Sequence, residues 1–491
     1  MHTVNRYISP LELRQRWEHN DVATMQFRNY RDIVTLAAPI AGIQFAQVAL
    51  TSTDLLMMGF ISVQAVAAGG LAILLYNQLR TMCVGMVTGV GNMIAASVGR
   101  GEKRTGTSSI DTTTHDEVRD LLRASMMLAT IVAIVAGIIL VALSYCLVFL
   151  GQSGAVVELA KPIMLTLAPG LLPMLWLNVL RQFAVGMRRA GSLLWVTILS
   201  IAVNALLDAA FIYGWLGLPK LGLAGIGLAT TLVQIWTFFV YLRTVWRDEK
   251  LNALLALDGW RAQPATIRKI ARMGTPIALT YGSEAAITSI ATVFMGTFGP
   301  VALAASNIVN QLAYIVYQAN IGLSQGSSIL VSRTAGKGQA GEIGAIARRT
   351  FTISFSLMTA VGLLYVLLPQ AVLRPFLGDE ADPTVLSAAT TLLWFAIAHQ
   401  FFKGSQNICI GLLRGLGNTK AGLTNTLIGY WLIGIPAMAV CGYWIGWGSY
   451  GIWFGLCLGF GATSFLLWWR FVTDLRTASA SLQDAEYQGA S

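Results

Sequence analysis

The sequence predicts an all-α integral membrane protein, with twelve transmembrane helices arranged as two pseudo-symmetric six-helix lobes. Three observations lead there: too little charge for a soluble globule, basic residues confined to alternate loops, and an internal repeat. Only 11% of the 491 residues are charged, and mean hydropathy is +0.64. Soluble domains carry about 25% charged residues. A chain this long and this poor in charge cannot cover itself with polar surface in water.

A spanning helix needs about 20 mostly apolar residues. Apolar runs between polar breaks fall near 33–58, 65–98, 122–150, 157–187, 192–214 and 222–245. A charged stretch, RTVWRDEKLNALLALDGWRAQPATIRKIAR (243–272), follows. Six more runs lie near 274–298, 301–334, 346–373, 383–413, 420–442 and 448–471. The expected organisation is an N-terminal segment (1–31), an N-lobe (32–245), a linker (246–272), a C-lobe (273–472) and a C-terminal tail (473–491).

Loop charge supports this map. The side holding both termini and the linker carries 27 Lys and Arg, against 3 (Lys161, Lys220, Arg374) on the other. Basic loops stay cytoplasmic, so both termini are expected in the cytoplasm; the chain is expected to be a multi-pass protein of a bacterial inner membrane. The net charge of +10 is thereby read as orientation, with membrane lipid and no nucleic acid as partner. Residues 1–31 are polar, without the apolar core and cleavage site of a signal peptide. The five cysteines, Cys83, Cys146, Cys409, Cys441 and Cys457, lie in apolar runs without metal-ligand spacing and read as small core residues.

A shift of 237 residues aligns the chain with itself. Pro39 falls on Pro276, Gly59 on Gly296, and Gly85, Gly89, Gly99 and Gly101 fall on Gly322, Gly326, Gly336 and Gly338. From 39 to 101 no gap is needed and about a quarter of positions are identical. Each repeat has an even number of spans, so the halves share one orientation and are expected to relate by an axis along the membrane normal. The glycines suit close helix approach. GRGEK and GKGQAGE read as matching turns, since no strand precedes them and the phosphate-loop spacing is absent.

Three acids, Asp54, Asp208 and Glu284, fall deep in predicted spans. An intramembrane acid costs about 2.5–3.5 kcal/mol on insertion scales unless paired, protonated or hydrated, so it marks a candidate functional site. In SIAVNALLDAAFIYG, Asn204 and Asp208 stand four apart and share one helix face. An amide beside a buried carboxylate can hold a proton or small cation through oxygen atoms. Asp54 completes that site if the first and fifth spans touch. Three cations also lie inside spans. Arg80 is midway along the second, too deep to snorkel easily, and is expected to face water or an acid. Arg181 lies nearer the end of the fourth, where snorkelling accounts for it. Lys403 stands in the tenth span, within AIAHQFFKGSQNICIG, with His399 one turn earlier.

The motifs APIAGIQFAQVALTSTDLLMMG (38–59), NALLDAAFIYGWLGLPKLGLAGIGLAT (204–230), GTPIALTYGSEAAITSIATVFMG (274–296) and LLRGLGNTKAGLTNTLIGYWLIGIP (412–436) resemble the multidrug and toxic compound extrusion (MATE) family, and its NorM-like branch above all. The likeness runs through about residues 30–472. It implies a V-shaped pair of lobes and export of small organic, often cationic, molecules in exchange for H+ or Na+, without an enzyme activity or a cofactor. It makes Asp54, Asn204, Asp208 and Thr230 the N-lobe proton or sodium site, and Glu284 the C-lobe acid. The tenth span departs from the family: His399 and Lys403 stand where NorM-like members carry tyrosine and aspartate. A lysine there is expected to pair with Glu284 and to displace a C-lobe sodium, leaving coupling to Asp54 and Asp208. Gln47, Arg80 and Gln400 are candidate substrate-pathway residues, and a monomer is expected. The positive interior also suits an anionic or zwitterionic cargo. The alternatives are a lipid-linked oligosaccharide flippase of the same superfamily, or a dedicated exporter of a secondary metabolite. An intramembrane enzyme is disfavoured, since no metal cluster or nucleophile motif is present.

Overall fold

The computed structural model describes residues 10–150, 154–377 and 383–489, with side chains described over 30–477 apart from 63, 67, 150, 192, 216 and 377. The chain forms α1 (Pro10–Gly59), α2 (Gln64–Thr105), α3 (Thr112–Cys146), α4 (Gly154–Gly186), α5 (Gly191–Tyr213) and α6 (Leu223–Arg247). After the linker come α7 (Pro264–Gly296), α8 (Pro300–Gly336), α9 (Ala340–Leu367), α10 (Pro383–Gly415), α11 (Thr419–Trp444) and α12 (Gly448–Gly489). Ile138, Leu206, Phe239, Leu363, Leu432 and Phe465 stand exposed on the outer faces. A belt of exposed apolar side chains on every side is what lipid requires and water would not tolerate.

Among the described residues, eleven of these helices are long and apolar enough to cross a membrane on their own composition. The exception is α8, which spans the same depth but buries Gln318, Asn320, Ser324, Gln325, Ser327, Ser328 and Ser332. It affords this polarity because it is central, packing hardest against α10 and α1. Its buried hydroxyls and amides find partners on those neighbours. Ser324 donates to the Asn407 carbonyl at 2.6 Å, and Ser332 to the Gly415 carbonyl at 2.9 Å.

The two halves meet through symmetric contacts. α1 packs on α8 and α7 on α2. A Cβ on Gly85 would sit 2.6 Å from Ala278 Cα, and one on Gly322 would sit 2.6 Å from Ala41 Cβ. These pairs are each other's images under the 237-residue shift. Here the glycines are needed for backbone approach. Two sets of polar contacts tie the same end shut. Asn92 Nδ2 donates to Ser328 Oγ (2.8 Å) and Ser332 Oγ (2.9 Å). Glu102 on α2 pairs with Arg333 and with Lys337 (3.1 Å) on α8. Within the C-lobe, Arg414 Nη1 donates to the Tyr281 hydroxyl at 3.3 Å. The lobes thus join at the end carrying the termini and linker, and part toward the other as a V.

The linker belongs to the N-lobe. Arg123 of α3 pairs with Asp258 at 2.7 Å, Arg189 pairs with Asp248, and Thr266 donates to Asp120 at 2.6 Å. Helix ends differ from the sequence expectation. α1 begins at Pro10 and α12 runs to Gly489, so the polar flanks at 10–31 and 473–489 continue the helices into the aqueous phase. Residues 248–263 remain as the true connection, holding a short helix at Glu249–Asn252. In α11 two wide helical turns, Ile428–Gly434 and Val440–Trp444, lie where Gly429 and Gly434 let α12 approach.

Candidate functional site

The packing of α5 against both α1 and α6 brings four separated polar residues together. Asn204 Nδ2 donates to Asp54 Oδ1 at 2.5 Å and to Asp208 Oδ2 at 2.9 Å. Thr230 Oγ1 donates to Asp54 Oδ2 at 3.2 Å, sharing its hydrogen with the Ile226 carbonyl at 3.1 Å. All four residues are buried, none more than 6% exposed. Two acceptors in the cluster have no hydrogen-bond partner, Asn204 Oδ1 and Asp208 Oδ1. The set is therefore oxygen-rich and buried, with two carboxylates that form no ion pair among the described residues and two acceptors left unpartnered. Oxygen atoms of this kind suit a hard cation or a shared proton.

Asp54 also lies on the wall of a cavity of about 60 Å³ inside the N-lobe, together with Gln47, Arg80, Asn178, Arg181 and Thr230. A buried water needs about 10–15 Å³ of such volume, so there is room for roughly four. Drug-sized ligands occupy pockets of about 300–1,000 Å³, so the cavity admits water or a small group only. Arg80 Nη2 donates to Gln47 Oε1 at 3.1 Å. Arg181 does not snorkel, contrary to the sequence expectation. It is 3% exposed and faces this cavity. The reason is packing: Asn178 and Arg181 stand three apart on one face of α4, and the fold turns that face inward to the cavity.

In the C-lobe, Lys403 Nζ of α10 lies 3.4 Å from Glu284 Oε1 of α7, the side chains being 13% and 12% exposed. The ammonium also sits over two rings, 4.2 Å from the Tyr317 centroid and 5.4 Å from that of Phe460. Cation–π contact and ion pairing together offset the desolvation of the charge. His399 is buried edge-on against Phe460 (4.7 Å) and Trp453 (5.8 Å), and its Nδ1 has no hydrogen-bond partner. Gln400 donates to the Met358 carbonyl at 2.9 Å, which ties α10 to α9. It does not join Gln47 and Arg80 at the N-lobe cavity.

Sequence reasoning passed over Tyr317. The signal was present: the 237-residue shift carries Arg80 onto Tyr317 and Gln47 onto Glu284. Tyr281, which meets Arg414 within the C-lobe, had no such signal.

The chain matches the family model MatE twice, over residues 39–210 and 276–440, one match per lobe. It is 31% identical over 460 residues to a probable multidrug resistance protein NorM of Pseudomonas aeruginosa, covering 91% of each chain. A protein of the same name from Brucella suis is 30% identical over 448 residues, covering 91% of this chain and 93% of that one. Two solved structures share the fold. One is an outward-facing multidrug resistance MATE family transporter of the MOP superfamily, with TM-score 0.81 and 18% identity over 92% of this chain and 97% of that one. The other is the eukaryotic MATE transporter AtDTX14, with TM-score 0.79 and 15% identity over 93% of this chain and 99% of that one. Twin family matches on twin six-helix lobes, closed at one end and open at the other, leave one conclusion: this chain belongs to the MATE family of membrane transporters and is not an enzyme.

Proposed function

We propose that the protein is a secondary antiporter that exports small organic molecules in exchange for H+ or Na+, with coupling carried by the N-lobe acids. The observation that supports this most is the single Asn204 amide bridging Asp54 and Asp208. Two carboxylates held that close in oil cannot both stay charged without a proton or cation beside them. An ion taken up there from one side and released to the other would drive the rocking of the lobes about their glycine contacts. Relatives named for multidrug resistance support a drug-like cargo. The charge bias of the loops supports cytoplasmic termini, and the bacterial relatives support a bacterial inner membrane.

In the C-lobe, the Lys403 ammonium acts as a tethered monovalent cation for Glu284, and so excludes a mobile one. Both parts are tested in proteoliposomes. Export measured under separate H+ and Na+ gradients should respond to one of them, and Asp54→Asn should reduce the response to background. Lys403→Asp should create or strengthen sodium dependence. Gradient-driven export that survives Asp54→Asn contradicts the coupling assignment. An unchanged sodium response in Lys403→Asp contradicts the account of the lysine.

A further inference from the structure

Arg181 is the least satisfied charge in the described molecule. Its side chain is buried, 3% exposed, and two of its nitrogens, Nε and Nη1, have no hydrogen-bond partner. It shares the N-lobe cavity with Arg80, whose guanidinium uses one nitrogen on Gln47. Among the described residues neither guanidinium takes part in an ion pair, whereas Arg100, Arg123 and Arg333 do. Asp54 on the same cavity wall supplies at most one negative charge for the two guanidiniums, and it forms no ion pair with either; its oxygens accept from Asn204 and Thr230. Two like charges facing one small cavity repel and are poorly solvated. Water can satisfy their hydrogens, since the cavity has room for roughly four molecules. Water cannot cancel their charge. An anion does both, and charge-assisted hydrogen bonds from guanidinium to an anion are the strong kind.

We propose that this cavity binds a small monovalent anion between Arg181 and Arg80, either a free halide or the carboxylate of a carried molecule. The cavity volume of about 60 Å³ sets the size limit. A halide or a carboxylate head enters; a bulky sulfonate does not. The anion would sit on the same cavity as Asp54, so the N-lobe would present an acceptor cluster for a cation and a donor cluster for an anion a short way apart. The ligand class deepens the transport reading, yet the site's existence is tested by binding alone, so it fails or stands apart from coupling.

The test is thermal unfolding of the purified full chain in detergent at constant ionic strength. Chloride, and separately acetate, replaces the bulky anion 2-(N-morpholino)ethanesulfonate. A ligand that binds the folded state raises the melting temperature saturably with its concentration. The wild type should show such a rise, Arg181→Gln should show none, and Arg80→Gln should need at least tenfold more anion for half the effect. Arg181→Lys, which keeps the charge, should retain part of the response and serves if Arg181→Gln does not fold. A response to chloride alone assigns an inorganic anion site. A response to acetate as well assigns a carboxylate subsite. A wild type indifferent to both anions, or variants that respond as the wild type does, overturns the proposal.

Discussion

In the N-lobe, Arg80 donates to Gln47 at 3.1 Å. In the C-lobe, the 237-residue shift turns those two positions into Tyr317 and Glu284, and α10 adds Lys403 at 3.4 Å from the acid. The same shift takes Asp54 to Ala291, which is 3% exposed and carries no charge at all. The scaffold positions are thus inherited, and the charges on them are not. The N-lobe keeps two acids bridged by one amide and two arginines on the adjoining cavity. The C-lobe keeps one acid with a built-in partner. The difference teaches that a duplicated fold can divide labour: exchangeable charge in one lobe, locked charge in the other. The linker follows the division, since its ion pairs run to the N-lobe.

Breaking the locked pair should have the largest effect on stability. Lys403→Met leaves Glu284 buried and unpaired, a change that costs about 3–5 kcal/mol where one partner of a buried ion pair is removed. Adding Glu284→Gln should recover most of it. Denaturation of the two variants in detergent checks this, and equal losses in the single and double variants would show that the pair is not a unit.

The contact that holds the lobes together at the linker end should matter less. Glu102 is 8% exposed, but its partners Arg333 and Lys337 are 19% and 37% exposed. Solvent screening therefore keeps the expected cost of Glu102→Gln to about 1 kcal/mol. Its sharper effect should be on conformation, since the pair spans the two halves. Cysteines placed at Asn92 and Ser332, whose side chains meet across this junction at 2.9 Å, should cross-link more slowly once Glu102 is neutralised.

The smallest effect concerns the linker. The Arg123 guanidinium hydrogen-bonded to Asp258 holds that carboxyl below its ordinary value. A depressed folded value means that the stabilisation is present above the unfolded value of about 3.9 and is lost as pH falls through the folded one. Protease cleavage within 248–263 should therefore rise below about pH 4. Asp258→Asn should be equally susceptible on either side of that range.

Much of this contrast was legible in the sequence, and its limits have physical causes. Asn204 and Asp208 share a face because four residues make about one helical turn, and that is local information. Their meeting with Asp54 is a contact between α1 and α5, which no local pattern encodes. Lys403 could be matched to Glu284 because the family resemblance sets it where a C-lobe acid usually stands, and an unpaired buried charge is costly. Arg181 was misread because a long side chain near a helix end can turn either way, and only the packing of α4 decides. α8 was placed as a span at 301–334 from its apolar run, although its buried polar face makes it less apolar than the eleven others.

The division of labour between the lobes is tested most directly by measuring ion-driven export in proteoliposomes for two matched variants. One is Asp54→Asn with Asp208→Asn; the other is Glu284→Gln with Lys403→Met. The account predicts that the first pair abolishes uphill export and that the second retains it, with the same driving ion as the wild type. Export lost in the C-lobe pair and kept in the N-lobe pair, with both proteins folded, would contradict it.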